Sequence, residues 1–325
     1  MYISYINKLK RCVARKFLLQ SDKTIIGPSI QSYLYPESIA ITKNHNLISD
    51  IFIINNCIIS PKTGICYAIS DYSVLDKAPY SYHSFDIFKP YKFVKSIDSA
   101  INLISPFLNN YYHIHESVLS NIEIINLMYS DLPILLPQNI KNTVYEEILR
   151  YHFSTNELIF VDKPVKVNRA FRIKTIFNQQ SIKSIKFHEI NERPSYLLNK
   201  SHKRIFIPRN GANRRILRNQ EELEKLLAEH DFVVYDPSRL SYIEQITLIQ
   251  NAELIVAVHG AAVTNIIYTK NLVNLIEIKD PRDNTSIFEA IAHLVGATYC
   301  SHDGVPINNI QFEFDSNRIL ESIGK

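Results

Sequence analysis

The last third of the chain alternates short apolar runs with stretches of helical periodicity. The runs that predict β-strands are residues 204–208, 232–235, 254–258, 273–278 and 298–300. The segments that predict helices between them begin near Asn219, Ser241, Ala261 and Ser286. Strict alternation of strand and helix predicts a parallel sheet with helices on both faces. Ligands of such sheets bind at the carboxyl ends of the strands.

Several predicted helices carry recognisable end signals. Asn219 and Ser241 are each followed three residues later by a glutamate, Glu222 and Glu244, which is the pattern of a capping box. Gly296 stands where the last helix should end, and glycine is the common residue at that position.

The first half is less regular but also predicts an α/β unit. Residues 55–67 predict two β runs joined by a turn that ends at Gly64, and the stretch 177–203 is polar and poorly periodic. Residues 110–128 and 144–151 predict helices, and 132–136 and 160–161 predict strands. The sequence therefore predicts three parts: a basic N-terminal helix at 1–29, an α/β domain at 30–195 and a second α/β domain at 196–325.

Composition narrows the function classes. The 325 residues carry a formal net charge of +4, which suits an anionic substrate but not a dedicated nucleic-acid binder. The four cysteines are scattered without a CxxC pair, which argues against a zinc ribbon and favours a reducing compartment such as the cytoplasm.

The N-terminus bears on location. No apolar run approaches the ~20 residues that span a bilayer, and residues 1–20 lack the apolar core of a signal peptide. The basic and apolar residues of this segment fit either an ordinary packed helix or a helix lying peripherally on the inner membrane.

Absent motifs exclude several kinds of site. The seven glycines form neither a dinucleotide fingerprint nor a P-loop, and the chain has no DxD and no HExxH. The sequence therefore predicts no bound cofactor, and it argues against a metal-bridged diphosphate site and a zinc hydrolase.

The strongest candidate site follows the predicted strand 254–258. Gly260 permits a close backbone approach. The amides of Ala261, Ala262 and Val263 begin the next helix, where a phosphate is favoured. His259 can donate a hydrogen bond to a diphosphate or a sugar. The alternative is a structural turn with a hydrogen-bonded histidine.

A basic loop follows the first strand of the same sheet. It contains Arg209, Asn210, Arg214 and Arg215, and arginine pairs its planar fork with phosphate oxygens. The alternative is a solvated basic turn. Because both loops lie on one rim of the sheet, we expect them to converge on one anion.

Three further residues of this domain are candidates for donor binding. Glu277 is a carboxylate at the end of an apolar strand, which fits either ribose hydroxyls or a buried salt bridge. Gln245 and Asn265 fit either ligand contacts or helix capping.

A polar cluster in the first half provides candidate acid/base chemistry. Asn110, Tyr111 and Tyr112 precede His113, and Glu116 follows on the same helix face. Glu116 or His113 could deprotonate an acceptor hydroxyl, and the tyrosines suit sugar stacking. The alternative is a polar helix start.

Together these residues resemble glycosyltransferase family 61. The resemblance rests on the arginine loop, on His259-Gly260-Ala261 with Asn265 and Glu277, and on the segment 110–113 with Glu116. Ile114 stands where the family often has tryptophan, and Ala262 where it often has glycine.

The resemblance implies a GT-B architecture, in which two Rossmann-like domains with parallel sheets face across a cleft. It also implies inversion at the anomeric carbon, no metal, a UDP-linked sugar donor and a glycan or lipid-linked saccharide acceptor, as in capsule or surface-polysaccharide synthesis. The alternatives are a non-catalytic nucleotide- or sugar-binding protein and a UDP-sugar epimerase of similar fold.

Overall fold

The structure, a computed structural model, describes residues 34–37, 49–68, 74–76, 95–175, 177–187 and 202–324. The predicted basic helix at 1–29 and most of the polar stretch that holds the domain boundary lie outside the described residues. Within the described ranges, no helix is both long and apolar enough to cross a bilayer.

The described strands of the first half form one eight-stranded sheet. They are β1 (Leu34–Glu37), β2 (Ser49–Ile59), β3 (Cys66–Ala68), β4 (Val74–Asp76), β5 (Ser96–Asn102), β6 (Ile134–Pro137), β7 (Leu158–Val161) and β8 (Val165–Thr175). The strand order is β4-β3-β2-β8-β5-β6-β7, and β1 also pairs with β2.

This first sheet is mixed, so the expectation of a wholly parallel sheet is wrong here. The strands β8, β5, β6 and β7 are parallel, whereas β2 runs antiparallel to β1, β3 and β8. The antiparallel part arises from the predicted turn: Gly64, at φ +70, donates to the Ser60 carbonyl and reverses the chain between β2 and β3. Glycine adopts this left-handed conformation without steric cost.

The helices of the first half cover the same sheet. They are α1 (Tyr111–Ser117), α2 (Ile122–Met128), α3 (Val144–His152) and α4 (Gln179–Phe187), with 3₁₀ turns at Leu119–Asn121 and Gln138–Ile140. The helical stretch predicted over 110–128 is confirmed, as two short α-helices with a 3₁₀ turn between them. The side chains of Ser120 and Asn121 donate hydrogen bonds to the carbonyls of Glu116 and Ser117. These bonds compete with the backbone hydrogen bonds of the helix where α1 ends.

The second half contains the predicted parallel sheet and a small accessory sheet. Its strands are β9 (Arg204–Ile207), β10 (Ile216–Leu217), β11 (Val233–Val234), β12 (Leu254–Val258), β13 (Asn274–Lys279), β14 (Thr298–Asp303), β15 (Val305–Pro306) and β16 (Gln311–Glu313). The parallel sheet has the order β11-β9-β12-β13-β14, and the accessory sheet has the order β10-β16-β15. An α/β fold with parallel strands is therefore confirmed.

The helices of the second half are α5 (Gln220–Ala228), α6 (Tyr242–Ile249), α7 (Ile287–Val295) and α8 (Leu320–Ile323), with 3₁₀ segments at Pro237–Arg239, Ala261–Tyr268 and Ser316–Ile319. The capping box at Ser241 is present, and Gly296 ends α7 in the left-handed conformation as predicted. The predicted capping box at Asn219 is wrong, because that side chain instead bonds the backbone N–H and carbonyl of Phe314.

The segment predicted as a helix after β12 has 3₁₀ rather than α geometry. Four of its eight residues are β-branched, which disfavours the α-helix. The 3₁₀ geometry places about three residues in each turn of the chain that carries Asn265, so the backbone there is wound more tightly than in an α-helix.

One hydrophobic core joins the two halves. It includes Ile101 and Ile114 from the first half and Ile246, Ile255 and Ile267 from the second. The halves therefore pack on each other through apolar side chains as well as through the polar contacts described next.

A buried chain of hydrogen bonds also crosses between the halves. His152 Nε2 lies 2.6 Å from the Tyr242 hydroxyl, which lies 2.6 Å from the Tyr268 hydroxyl, which lies 2.8 Å from His115 Nε2. His115 Nδ1 lies 2.7 Å from the Tyr111 carbonyl.

Donor and acceptor roles along this chain follow from its end. A carbonyl only accepts, so His115 Nδ1 donates and the neutral ring accepts from Tyr268 at Nε2. Tyr268 then accepts from Tyr242, which accepts from His152. Burial lowers the pKa of His115 to about 4, outweighing the Tyr111 carbonyl bond, which raises it. The neutral form is therefore the one that the fold requires.

Stability should therefore fall as His115 is protonated. Between its ordinary pKa of 6.5 and the native value of about 4, the unfolded chain binds the additional proton, so acidification favours unfolding. The loss reaches roughly 3 kcal/mol across that window. We expect urea unfolding between pH 7 and 4 to give a shallower pH dependence for His115→Gln than for the wild type. The exposed His293→Gln serves as the matched control, and an equal slope in His115→Gln would contradict the assignment.

Candidate active site at the strand ends

The strand order of the parallel sheet places a crevice between β9 and β12. From β9 the chain moves to β11 on one side and to β12, β13 and β14 on the other. Loops that leave neighbouring strands in opposite directions open a crevice at the strands' carboxyl ends, where ligands of open α/β sheets bind. The arginine loop follows β9, and the loop that contains His259 and Gly260 follows β12.

The two loops meet through Arg209. Its Nη1 atom donates to the His259 carbonyl at 2.6 Å, and its Nε atom donates to the Arg214 carbonyl at 3.4 Å. A Cβ atom at residue 260 would collide with the Arg209 guanidinium, so a larger residue there would displace this side chain from the His259 carbonyl. Its φ of 177° is ordinary extended backbone. The predicted convergence of the loops is therefore observed.

Three guanidinium groups gather at this crevice. The pKa of Arg209 is lowered to about 10, first by burial and then by the positive charges of Arg215 and Arg214. Arg215 has φ 56°, a left-handed conformation that is uncommon for a bulky side chain and is found at functional sites. Like charges held this close create a strong local attraction for an anion.

His259 is held in a fixed orientation beneath the crevice. Its side chain is 8% exposed, and Nδ1 lies 2.6 Å from Glu277 Oε1. A carboxylate accepts but does not donate, so Nδ1 carries the proton. Nε2 faces the loop after β13, 3.3 Å from Asp283 Oδ2, and the ring packs beside Phe288 with centroids 5.1 Å apart.

Glu277 is held by protein groups on both oxygens. Oε1 meets His259, and Oε2 accepts the Tyr299 hydroxyl at 2.6 Å. Burial and the bond to this carboxylate raise the pKa of Tyr299 well above its ordinary value. The structure thus shows the buried-pair alternative for Glu277 rather than a free ribose ligand.

The amides after Gly260 lie at the same rim. The first N–H groups of a helical turn have no partner within that turn, and here they belong to Ala261 and Ala262, which are half-buried. The Val263 amide, which we also expected to be available, bonds the Gly260 carbonyl at 3.0 Å.

Gln245 and Asn265 lie in the protein interior. Asn265 Oδ1 accepts the Tyr111 hydroxyl at 2.6 Å, and its Nδ2 donates to Gln245 Oε1 at 3.1 Å. Gln245 Nε2 donates to the carbonyls of Pro237 and Leu240. The bond between Asn265 and Tyr111 therefore connects the two halves, and Gln245 holds Asn265 from within the second half.

Asn210 links two loops of the rim. Its side chain donates to Asp236 Oδ2 at 2.8 Å and accepts from Gln220 at 2.9 Å, and Gln220 Oε1 accepts the Arg209 amide. Sequence reasoning missed Gln220, Asp236, Asp283 and Tyr299. The loop after β13 lies on the same rim as the loops after β9 and β12, and this position could have identified Asp283 as a site residue. Tyr299 shares a sheet face with Glu277, which strand periodicity could have indicated.

The predicted acid/base cluster lies on α1. Asn110 caps this helix by accepting the amides of Tyr112 and His113. His113 Nδ1 is 3.7 Å from Glu116 Oε2, which also accepts the Ser117 hydroxyl at 2.5 Å. Tyr112, His113 and Glu116 are half-buried, whereas Tyr111 turns inward to Asn265.

In the parts of the chain that the structure describes, no three His, Cys, Asp or Glu side chains are grouped as a metal ion requires.

The family model described as glycosyltransferase 61 matches residues 77–276, which include α1, the arginine loop, His259 and Asn265. No curated protein matches the chain significantly. Because the matched segment covers more than half of the sequence, the chain belongs to the glycosyltransferase 61 family and is a glycosyltransferase.

Proposed function

We propose that this glycosyltransferase is an inverting, metal-independent enzyme that uses a UDP-linked sugar. The acceptor is a glycan or a lipid-linked saccharide of surface-polysaccharide synthesis. The two halves act as the donor and acceptor domains of a GT-B architecture. The enzyme works in the cytoplasm, with the basic N-terminal segment as a peripheral contact to the inner membrane.

The observation that supports this proposal most is the convergence of Arg209, Arg214 and Arg215 with the His259 loop. A departing nucleoside diphosphate gains negative charge as the glycosidic bond breaks. Guanidinium groups already in place stabilise that charge without a divalent ion, because they need no reorganisation during the reaction. The amides of Ala261 and Ala262 add donors from the opposite loop.

His259 fits a role at the leaving group. Glu277 fixes its tautomer and orientation, as the carboxylate does in a Ser-His-Asp triad. Its Nε2 atom is then directed to the rim where the diphosphate would bind. Gln245, Asn265 and Tyr111 support this loop from behind rather than contacting the sugar nucleotide.

Deprotonation of the acceptor is assigned to α1. Inversion requires the acceptor oxygen to attack the anomeric carbon from the face opposite the leaving diphosphate. The base must therefore lie across the crevice from the arginine cluster. Glu116 is half-buried and oriented by Ser117 and His113, which suits it as that base. His113 is the alternative, and Asn110 and Tyr112 border the acceptor.

Arg209→Ala should lower turnover by about 10²-fold or more, the scale of losing one preorganised charge partner. It should also remove most of the thermal stabilisation by UDP, which amounts to roughly 2.7 kcal/mol at 100 times Kd. Arg204→Ala is the matched control. Arg204 lies at the amino end of β9, away from the rim, and donates to the His230 carbonyl.

The assay is sugar transfer from a panel of UDP-sugars, with UDP binding followed by thermal shift. Unchanged turnover in Arg209→Ala would contradict the proposed role of Arg209 in stabilising the departing diphosphate. Interconversion of a free UDP-sugar without acceptor would instead favour an epimerase, and binding without transfer would favour a non-catalytic protein.

Chelation tests the absence of a metal. Saturating EDTA should leave turnover unchanged, because the guanidinium groups supply the positive charge. The proposal would be contradicted if EDTA abolished transfer and added Mg²⁺ or Mn²⁺ restored it.

Glu116→Gln should lower kcat by about 10²-fold or more while UDP binding stays unchanged, since the amide keeps the shape of the carboxylate but not its basicity. Single-turnover transfer and UDP titration separate the two effects. Normal kcat in this variant with a large loss in His113→Asn would assign the base to His113. Normal kcat in both would exclude α1 from the chemistry.

A further inference from the structure

A carboxylate of the protein itself lies inside the proposed diphosphate site. Asp283 belongs to the loop after β13, and its Oδ2 atom contacts the Arg215 guanidinium and lies 3.3 Å from His259 Nε2. Both partners are groups that we assign to the donor phosphates. The side chain of Asp283 is only 10% exposed, although residues 284–286 beside it are exposed.

The contacts of this oxygen are those of a phosphate oxygen. A carboxylate and a phosphate both accept hydrogen bonds from a guanidinium. Both also accept from His259 Nε2 when the ring carries a proton on this nitrogen as well as on Nδ1. Arg209, Arg214 and Arg215 repel one another, so an anion in contact with one of them lowers the free energy of the loop. Asp283 is the carboxylate in contact with Arg215, and Asp280 adds a second negative charge near the same guanidinium.

The loop is built to present this oxygen. The other carboxylate oxygen, Oδ1, accepts the amide and hydroxyl of Thr285 at 3.0 and 2.7 Å, and the Asp283 amide donates to the Asp280 carbonyl at 2.9 Å. Asp280 pairs with Arg282 and anchors the start of the loop. Residues 284–286 are exposed, so outward movement of the tip leaves the core packed and breaks the exposed bond from Lys279 Nζ to the Thr285 carbonyl.

We propose that Asp283 occupies a donor-phosphate position in the unliganded enzyme and is displaced when the sugar nucleotide binds. This inference rests on the proposed function of the arginine cluster. A protein whose binding-competent state is only partly populated shows a weaker apparent affinity, in proportion to that population. Asp283 therefore weakens donor binding, and its return competes with the nucleoside diphosphate product and speeds its release.

Binding of inorganic pyrophosphate and of UDP to the full-length chain tests the inference. By isothermal titration, Asp283→Asn should bind both ligands about tenfold more tightly than the wild type, the effect of removing one competing ion pair. Asp315→Asn is the matched control: Asp315 is an exposed aspartate that caps a turn through Asn317, and its variant should bind like the wild type.

A double-mutant cycle separates displacement from a general change in charge. If Asp283 and the ligand compete for the same guanidinium, Arg215→Ala should weaken pyrophosphate binding by less than about twofold in the wild type and about tenfold in Asp283→Asn. Equal effects of Arg215→Ala in the two backgrounds would overturn the inference, as would equal or weaker binding by Asp283→Asn. Absence of binding in every variant would overturn the donor site itself.

Discussion

The hydrogen bond from Arg209 to the His259 carbonyl determines the geometry of the candidate site. It joins the loops that leave β9 and β12, and Gly260 permits it because a side chain there would collide with the guanidinium. The parallel register of the two strands brings both loops to the same height. Arginine has five N–H donors. This bond uses one and the bond from Nε to the Arg214 carbonyl uses another, so the three that remain can face an anion. The other charged groups of the rim are arranged around this pair.

The two halves are coupled at the same loop. Asn265 lies six residues after His259 and holds Tyr111, the first residue of α1, so one side-chain contact connects the His259 loop with the helix that carries Glu116. The histidine and tyrosine chain runs beside it through the shared core. Opening the halves would break several buried hydrogen bonds at once, and buried polar groups are costly to leave unpaired. The relative placement of α1 and the His259 loop is therefore fixed by buried hydrogen bonds and core packing rather than by a linker.

Much of the second half could be predicted from sequence, because its signals are local. The uninterrupted apolar run of β12, the capping box at Ser241 and Gly296 at the end of α7 each specify structure within a few residues. What could not be predicted depends on partners distant in sequence. Asn219 bonds Phe314, 95 residues away, instead of capping its own helix, and Tyr111 turns inward to Asn265. The arginine loop could be recognised from residue type, whereas the role of Asp283 required the position of a loop 68 residues further on.

We propose that the rim between β9 and β12 holds the diphosphate of the donor. A crystal structure of this chain with UDP bound decides whether it does. Phosphate oxygens are expected within hydrogen-bonding distance of the Arg209 guanidinium and of the amides at residues 261 and 262. A diphosphate bound at the eight-stranded sheet of the first half, away from Arg209, would contradict it.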